Sequence, residues 1–592
     1  ISYTPNKQPV GVAPPPPPAA IGIRMSEVAE VSVSPIEPVE NEEPRPSHAS
    51  YVSHAKLIGV VTLLSRLLGM ARESCASNFF GAGAAYSAFT VAFTVPNLFR
   101  KLLGEGALSA AFIPLYAQAV KHEKAGTGGA LSANDFAAAS VNLLCAILLA
   151  ITIVGEGILW TATYFPMRPE NLLGVHLTMI MLPYVLLVCG TAFLSGILQV
   201  HARFAAAAAT AIVLNLCHII AIIIAAHLFD LSSPAGMERG VHWLSWTVLI
   251  AGCLQISMLL PSLRAVGFRF KPDFHIFTPA IRRMLVLTLP VALGAGVLQV
   301  STMLDRGLSF LLAADGSKTT FTLFHYTIRY PLASGAAARL NWAQFLYQFP
   351  LGVFAIALAT AIFPKLSTDA THGLDSNEVP QPFRDVLRKG VEAALFIGLP
   401  ASIGLIVVRL PAVRLMFQQG KFTDTDTQWV ALSTAIYSAA IWAFSLQQIL
   451  NRAYYALHDT VTPLIWGIMN LVVNTAIEVP LLWTKLGESG MAVGTLVSFA
   501  MQSLIMLWML DRRVGGLGLR KSARPIAIML TASAAMLGVC LFLQHSPLYP
   551  HGHKKIIWAA QLVMLMTAGG ATYFGTCMAM GIDVMAHVRR RR

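Results

Sequence analysis

Three arginines, Arg66, Arg72 and Arg100, fall within thirty-five positions of stretches that otherwise read as two consecutive apolar spans, VVTLLSRLLGM and FTVAFTVPNLFRKLLGEG. A guanidinium stays charged at any accessible pH, and at the centre of a bilayer it costs at least roughly 2.5 to 3.5 kcal/mol. Such a group needs a wet cavity or an anion to face, and its planar fork matches phosphate oxygens bidentately. The indicated chemistry is capture of an acidic ligand within the membrane. The competing reading is that the arginines snorkel to headgroups or mark a cytoplasmic boundary, most readily for Arg100 beside Lys101.

A second set of side chains bears oxygen in apolar surroundings: Asp305, Asn474, Glu478 and Thr495. Asn474 and Glu478 are four apart and so share one helix face. Hard oxygen ligands of this kind suit sodium, and a carboxylate within a span can equally relay protons. The alternative is a structural bond from Asp305 to Arg306 or to Asn474. Enzymatic chemistry has no comparable support. No GxxxxGK[ST] or HExxH occurs, and GAGAAYS lacks the third glycine and flanking strand of a dinucleotide site. Serine, histidine and aspartate form no nucleophile arrangement, and His551, His553, Lys554 and Lys555 read as a solvated turn. The chain is read as a non-enzyme, with no cofactor beyond a sodium ion or proton.

The elements that must position these groups follow from composition. With 592 residues, 55% hydrophobic and 12% charged, and mean hydropathy +0.63, the apolar runs are long enough to span lipid. The seven cysteines lie mostly in apolar segments without metal-type spacing and read as small buried fillers. The net charge of +13 sits mostly in short loops, where membrane lipids and the positive-inside rule account for it, so no nucleic-acid partner is expected.

The fold class expected is an all-α polytopic membrane protein of about fourteen transmembrane helices, arranged as two six-helix lobes around a central cavity plus two extra C-terminal helices. Candidate spans start near Lys56, Ala84, Phe136, Gly174, Ala205, Val241, Met284, Leu340, Lys389, Thr427, Val461, Ser489, Pro525 and Ile556. Residues 1–50, rich in proline and acidic residues, are expected to be a disordered cytoplasmic tail without the n- and h-regions of a signal peptide, so the first span doubles as the targeting element. Residues 51–265 form the N-lobe, 266–513 the C-lobe, and 514–592 the two extra spans with a basic tail. Basic loops such as Arg282 with Arg283, and Arg512 with Arg513, place both termini in the cytoplasm. The two lobes look related, since spans two and eight each carry an early proline and a later one, as in VPNLFRKLLGEGALSAAFIP and FPLGVFAIALATAIFP. Residues Lys101 to about Lys124 are expected as an amphipathic surface helix.

The stretch SRLLGMARESCASNFFGAGAAYSAFTVAFTVPNLFRKLLGEGALSAAFIPLYAQ resembles the opening of the MurJ (MviN) lipid II flippases, in the multidrug, oligosaccharidyl-lipid and polysaccharide exporter superfamily. LNWAQFLYQFPLGVFAIALATAIFPKLS, LMFQQGKFTDTDTQ and RAYYALHDTVTP are similar to the family's second half. The resemblance implies translocation of an undecaprenyl-pyrophosphate-linked disaccharide pentapeptide across the bacterial inner membrane for peptidoglycan synthesis, by alternating access coupled to an ion or to the potential. It also implies cell-wall synthesis proteins as further partners. Arg66, Arg72 and Arg100 match the family's arginines, and Glu73 and Glu105 its acidic positions. The chain departs from the pattern at Ser87, where an aspartate is common, and at Ala343-Gln344-Phe345, where an ADR triplet is common. Ser87 is kept as a substrate-site candidate. Arg306 is expected to replace the arginine missing at Phe345, with Arg329 and Arg339, in a long insertion over 313–339, as weaker candidates. The alternatives are export of another lipid-linked oligosaccharide, or a non-transporting paralogue acting as a scaffold, which lipid II binding by the purified protein would discriminate.

Overall fold

The computed structural model describes residues 48–126, 132–271, 278–314, 319–323, 325–371 and 379–582, so nearly all of the expected tail over 1–50 lies outside the described residues. The chain runs through α1 (His48–Phe80), α2 (Ala84–Phe99), α3 (Leu108–Lys124), α4 (Ala133–Ala162), α5 (Pro169–Met181), α6 (Tyr184–Val200), α7 (Phe204–Leu228), α8 (Pro234–Ala265) and α9 (Pro279–Leu311). After a hairpin of β1 (Thr320–Leu323) and β2 (Tyr326–Arg329) come α10 (Ala336–Pro350), α11 (Ile356–Thr371), α12 (Gln381–Phe417), α13 (Asp424–Ala439), α14 (Ile441–Ala456), α15 (Val461–Leu482), α16 (Ser489–Arg513), α17 (Leu519–His545) and α18 (Lys555–Ala579). Each expected span falls on a helix or a pair of helices. Among the described residues nine helices are long and apolar enough to cross a membrane, or eleven if each of two bent pairs is one span. Outside that count are α1, α2 and α9, which carry or adjoin Arg66, Arg72, Arg100 and Arg306.

Local sequence explains where the helices start. The side chains of Ser132, Ser233 and Thr278 accept from the backbone N–H three residues on, the last two with proline at the first helical position. Thr423 and Asp426 close a reciprocal capping box at the start of α13. Pro96 lies inside α2 and Pro350 ends α10, and each is followed by a π-helical turn, Arg100–Ala107 and Leu351–Ala355. Proline removes one helical hydrogen bond and crowds the turn before it, so regular α-helical bonding is already interrupted next to both π-helical segments.

These breaks bear on the expected repeat. Spans two and eight both carry the π-helical turn, and spans four and ten are both bent pairs: α5 with α6 at 43° and α13 with α14 at 42°. Interruptions at the same ordinal positions in both sets of six helices agree with related lobes, and broken spans are where backbone can line a cavity. Residues Lys56–Arg592 form one compact unit; of Ile1–Ala55 the described part is the start of α1. The largest core runs through both sets of helices, with smaller cores joining α11, α12, α14 and α16, and joining α12, α17 and α18.

At one end of the bundle the two sets are stitched together. Ser74 Oγ donates to the Met416 carbonyl at 2.7 Å, Gln419 Nε2 donates to Ser74 Oγ at 2.7 Å, and the Lys421 N–H donates to the Asn78 carbonyl at 3.0 Å. The approach needs glycine at two places. A Cβ at Gly420 (φ +56°) would stand 2.2 Å from the Asn78 carbonyl oxygen, and one at Gly335 (φ +88°) 1.9 Å from that of Ala82.

The insertion over 313–339 contains structure that was not foreseen. The hairpin pairs Thr320 with Arg329 and Leu323 with Tyr326. Arg168 clamps its base, donating to the carbonyls of Ala313 at 2.6 Å and Leu311 at 2.7 Å while stacking on Tyr330. The expected surface helix after Lys101 is a π-helical turn followed by α3, whose Phe112 and Tyr116 are buried against α6 and α4 neighbours.

Candidate functional site

Two adjoining cavities lie inside the bundle, one of about 280 Å³ and one of about 970 Å³, sharing Arg72, Lys101, Ser301 and Thr302 among their walls. The face of α2 that lines the smaller one is Tyr86, Phe89, Thr90, Phe93 and Asn97, with Arg100 following, a spacing of three and four that is one helical stripe. Arg72, Arg100 and Arg306 all line this cavity, and Arg66 lines the larger one.

Each guanidinium is held by specific neighbours. Arg72 Nη2 donates to Glu73 Oε1 at 2.6 Å, and the other carboxylate oxygen of Glu73 accepts from Trp342 Nε1 at 3.0 Å. Glu73 thus ties a cavity arginine on α1 to α10, and Trp342 is fully buried with its ring stacked on Tyr86 at 5.4 Å. Arg100 Nε donates to Asn97 Oδ1 at 3.0 Å. Arg66 rests on the π-helical turn of span eight, where a Cβ at Gly352 would stand 2.6 Å from its Nη2. Glycine there leaves room for the guanidinium against the backbone.

Arg306 reaches from α9 between the two sets of helices. Its Nη1 donates to Thr94 Oγ1 at 2.8 Å and its Nη2 to Gln344 Oε1 at 3.5 Å, leaving Nε buried without a hydrogen-bond partner among the described residues. Phe345 lines the same cavity, so Arg306 delivers a guanidinium where Phe345 provides none.

Three expectations need correction. Ser87 lies off the cavity stripe of α2; its hydroxyl accepts from the Ala338 N–H at 3.3 Å, which makes it a contact between helices rather than a substrate group. Arg339 is buried in an ion-pair cluster, donating to Glu488 at 2.7 Å through both Nε and Nη2 and to Asp426 at 3.1 Å, and so is committed to the first turns of α13 and α16. Arg329 lies in β2, where its carbonyl accepts from Trp483 Nε1, and it lines neither cavity. The side chain of Glu105 lies outside the described residues.

The oxygen-bearing set comes together. Asn474 Nδ2 donates to Asp305 Oδ1 at 3.3 Å and to Glu478 Oε2 at 3.1 Å, and Asp305, Asn474 and Thr495 line the smaller cavity. Thr495 Oγ1 donates to the Met491 carbonyl at 3.1 Å, which leaves its lone pairs for another donor or a cation. A Cβ at Gly494 would stand 3.0 Å from Asn474 Oδ1, so the glycine permits the close approach of α15 and α16. Asn474 Oδ1 and Glu478 Oε1 are buried without hydrogen-bond partners among the described residues. Orphaned buried oxygens beside two carboxyls fit a hard cation or a shared proton. The rival bond from Asp305 to Asn474 exists, and the Arg306 guanidinium turns instead to Thr94 and Gln344.

Two cavity residues were missed from sequence. His218 is buried against the edges of Phe89 and Phe93 with Nε2 unpartnered among the described residues, and Asn215, three residues earlier, donates to the Ser65 carbonyl at 3.0 Å. Two polar residues at i and i+3 in the middle of the largely apolar span five were the available signal.

Comparison with known proteins identifies relatives of the whole chain and of its fold. The family model described as lipid II flippase MurJ matches residues 76–558. The probable lipid II flippase MurJ of Rhizobium tropici is 31% identical over 542 residues, covering 90% of this chain and 95% of the relative. That of Rhizobium meliloti is 30% identical over 559 residues, covering 91% and 96%. Among solved structures, a lipid II flippase MurJ in an inward closed conformation superposes with TM-score 0.68 at 20% identity, covering 89% of this chain and 99% of that one. An inward-facing multidrug resistance transporter of the MATE family superposes with TM-score 0.58 at 14% identity, over 79% and 99%.

Proposed function

The chain belongs to the MurJ family of lipid II flippases, and from that premise we propose how its own residues carry the lipid-linked headgroup across the membrane. The observation that carries the reading is the convergence of Arg72, Arg100 and Arg306 on one cavity inside an apolar helical bundle. Permanent cations facing an enclosed polar space suit the several anionic oxygens of a diphosphate. Arg66, in the larger chamber, meets the headgroup before or after that site. The lipid tail stays in the bilayer while the headgroup traverses the cavity.

Translocation proceeds by alternating access: the stitched end of the bundle opens as the other end closes, the two sets of helices rocking about the cavity. Glu73 links the two events, since one carboxylate oxygen holds Arg72 and the other holds Trp342 across the junction. Asp305, Asn474, Glu478 and Thr495 hold a sodium ion or proton whose movement gives the cycle direction. The protein is a multi-pass membrane protein and a transporter. Its location in the bacterial inner membrane with both termini cytoplasmic, and its partnership with cell-wall synthesis proteins, belong to the same proposal.

The test is complementation of a flippase-depleted strain. Arg72→Ala or Arg100→Ala abolishes growth without lowering the amount of protein in the membrane; normal growth with both variants would remove the arginines from the mechanism.

A further inference from the structure

The larger chamber carries a chemistry that the arginines do not explain. Its lining on the side of the second set of helices includes carboxamides from four of them: Gln348 on α10, Gln447, Gln448 and Asn451 on α14, Asn470 on α15 and Gln502 on α16. A carboxamide offers donors and an acceptor without net charge, so a set of them matches hydroxyls and amides, which present the same mixture. Several are poorly satisfied by the protein itself. Asn470 is 5% exposed and its Nδ2 has no hydrogen-bond partner among the described residues. Among the described residues Gln502 Nε2 reaches only the Met506 thioether, at 3.8 Å, which is a weak acceptor. Gln447 is fixed between Asn451 Oδ1, to which its Nε2 donates at 3.0 Å, and Ser503, whose hydroxyl donates to its Oε1 at 3.2 Å. Buried donors left in this state are ordinarily completed by a ligand or water.

Volume decides which part of a substrate goes where. The arginine-lined cavity of about 280 Å³ has room for a diphosphate but not for a disaccharide with an attached peptide, whereas the adjoining chamber of about 970 Å³ falls in the range of sites for much larger ligands. Arg72 lines both, so a diphosphate bound there directs its attached sugar into the larger chamber.

We propose that this set of carboxamides is the subsite for the uncharged, hydroxyl- and amide-rich portion of the headgroup, and that it sets a preference for glycopeptide-bearing diphosphate lipids over bare polyprenyl diphosphates. This rests on the lipid II reading given above. The arginines supply affinity for the diphosphate common to both classes, and the carboxamides discriminate by hydrogen bonds that a bare diphosphate lipid leaves unmade.

The experiment compares binding of lipid II and of undecaprenyl diphosphate to the purified full-length protein in nanodiscs, for wild type and for the double variant Gln448→Met/Asn451→Leu. Both positions are only half buried, and the replacements keep an unbranched side chain at Gln448 and a branched one at Asn451. Wild type binds lipid II more tightly; the double variant loses about tenfold for lipid II, the scale of two neutral hydrogen bonds, and stays within about twofold for undecaprenyl diphosphate. Gln448→Met alone loses about threefold for lipid II and serves if the double variant is not recovered. Equal loss for both lipids, or no loss for either, overturns the subsite. Equal wild-type affinity for the two lipids also overturns it while leaving the flippase reading intact. Wild type binding neither lipid overturns the flippase reading itself, and the subsite falls with it.

Discussion

Replacing Trp342 by phenylalanine isolates one bond that holds the stitched end of the bundle shut. The indole N–H of Trp342 donates to Glu73 Oε2 at 3.0 Å, and both side chains are buried. Phenylalanine keeps an aromatic ring where the indole stacks on Tyr86, but supplies no donor. A hydrogen bond to a charged group contributes about 1.5 to 3 kcal/mol, so its loss shifts the balance from closed toward open at this end by roughly ten- to 150-fold. The bond joins α1 to α10, so nearly all of that difference falls on the equilibrium between conformations rather than on either set of helices alone. The assay is double electron–electron resonance in nanodiscs, between labels on the first turns of α2 and α13. Trp342→Phe shows a new population at longer distance, and Glu73→Ala shows the same change. An unchanged distance distribution in both variants refutes the idea that Glu73 couples the cavity to the closure.

Three further outcomes follow from the same geometry. Arg306→Gln sharply lowers transport in a proteoliposome flipping assay, whereas adding Phe345→Arg in that background restores a substantial part, because both positions line one cavity; no rescue would mean that Arg306 acts outside diphosphate binding. Glu478→Gln leaves lipid II binding within about twofold but uncouples transport from an imposed sodium or proton gradient, since it removes one of the unpartnered oxygens beside Asp305 and Asn474; gradient-dependent transport surviving in the variant contradicts the coupling role. In the turn before α15, burial alone raises the Asp459 carboxyl, but donation from the Thr462 backbone and hydroxyl and from Arg513 outweighs it and holds the group below the usual carboxylate range. Its contribution to stability is therefore present above the ordinary carboxylate pKa and lost as pH falls through the lowered one. The Tm difference between wild type and Asp459→Asn shrinks on acidification, and a difference constant down to pH 3 contradicts this.

Much of the fold was legible because lipid imposes length and apolarity on every span, and all the expected starts fall on helices. The cavity arginines were legible for the converse reason, since a guanidinium within an apolar run demands a polar partner. Arg306 was reached by asking what replaces the charge absent at Phe345. Ser87 misled because its place in a motif says nothing about which way it faces, and the stripe from Tyr86 to Asn97 excludes it. Arg339 misled because its partners, Glu488 and Asp426, are 149 and 87 positions away, a pairing that no local pattern discloses. The hairpin escaped because four-residue strands carry too little periodicity to stand out. Trp342 escaped because an apolar aromatic in a span reads as packing, and its single polar contact depends on the meeting of the two sets of helices.

A cryo-electron microscopy structure of the purified protein with lipid II tests the central claim most directly. Density for the diphosphate lies within hydrogen-bond distance of the Arg72, Arg100 and Arg306 guanidinium groups; a headgroup bound elsewhere, with those three groups engaged only by protein, contradicts it.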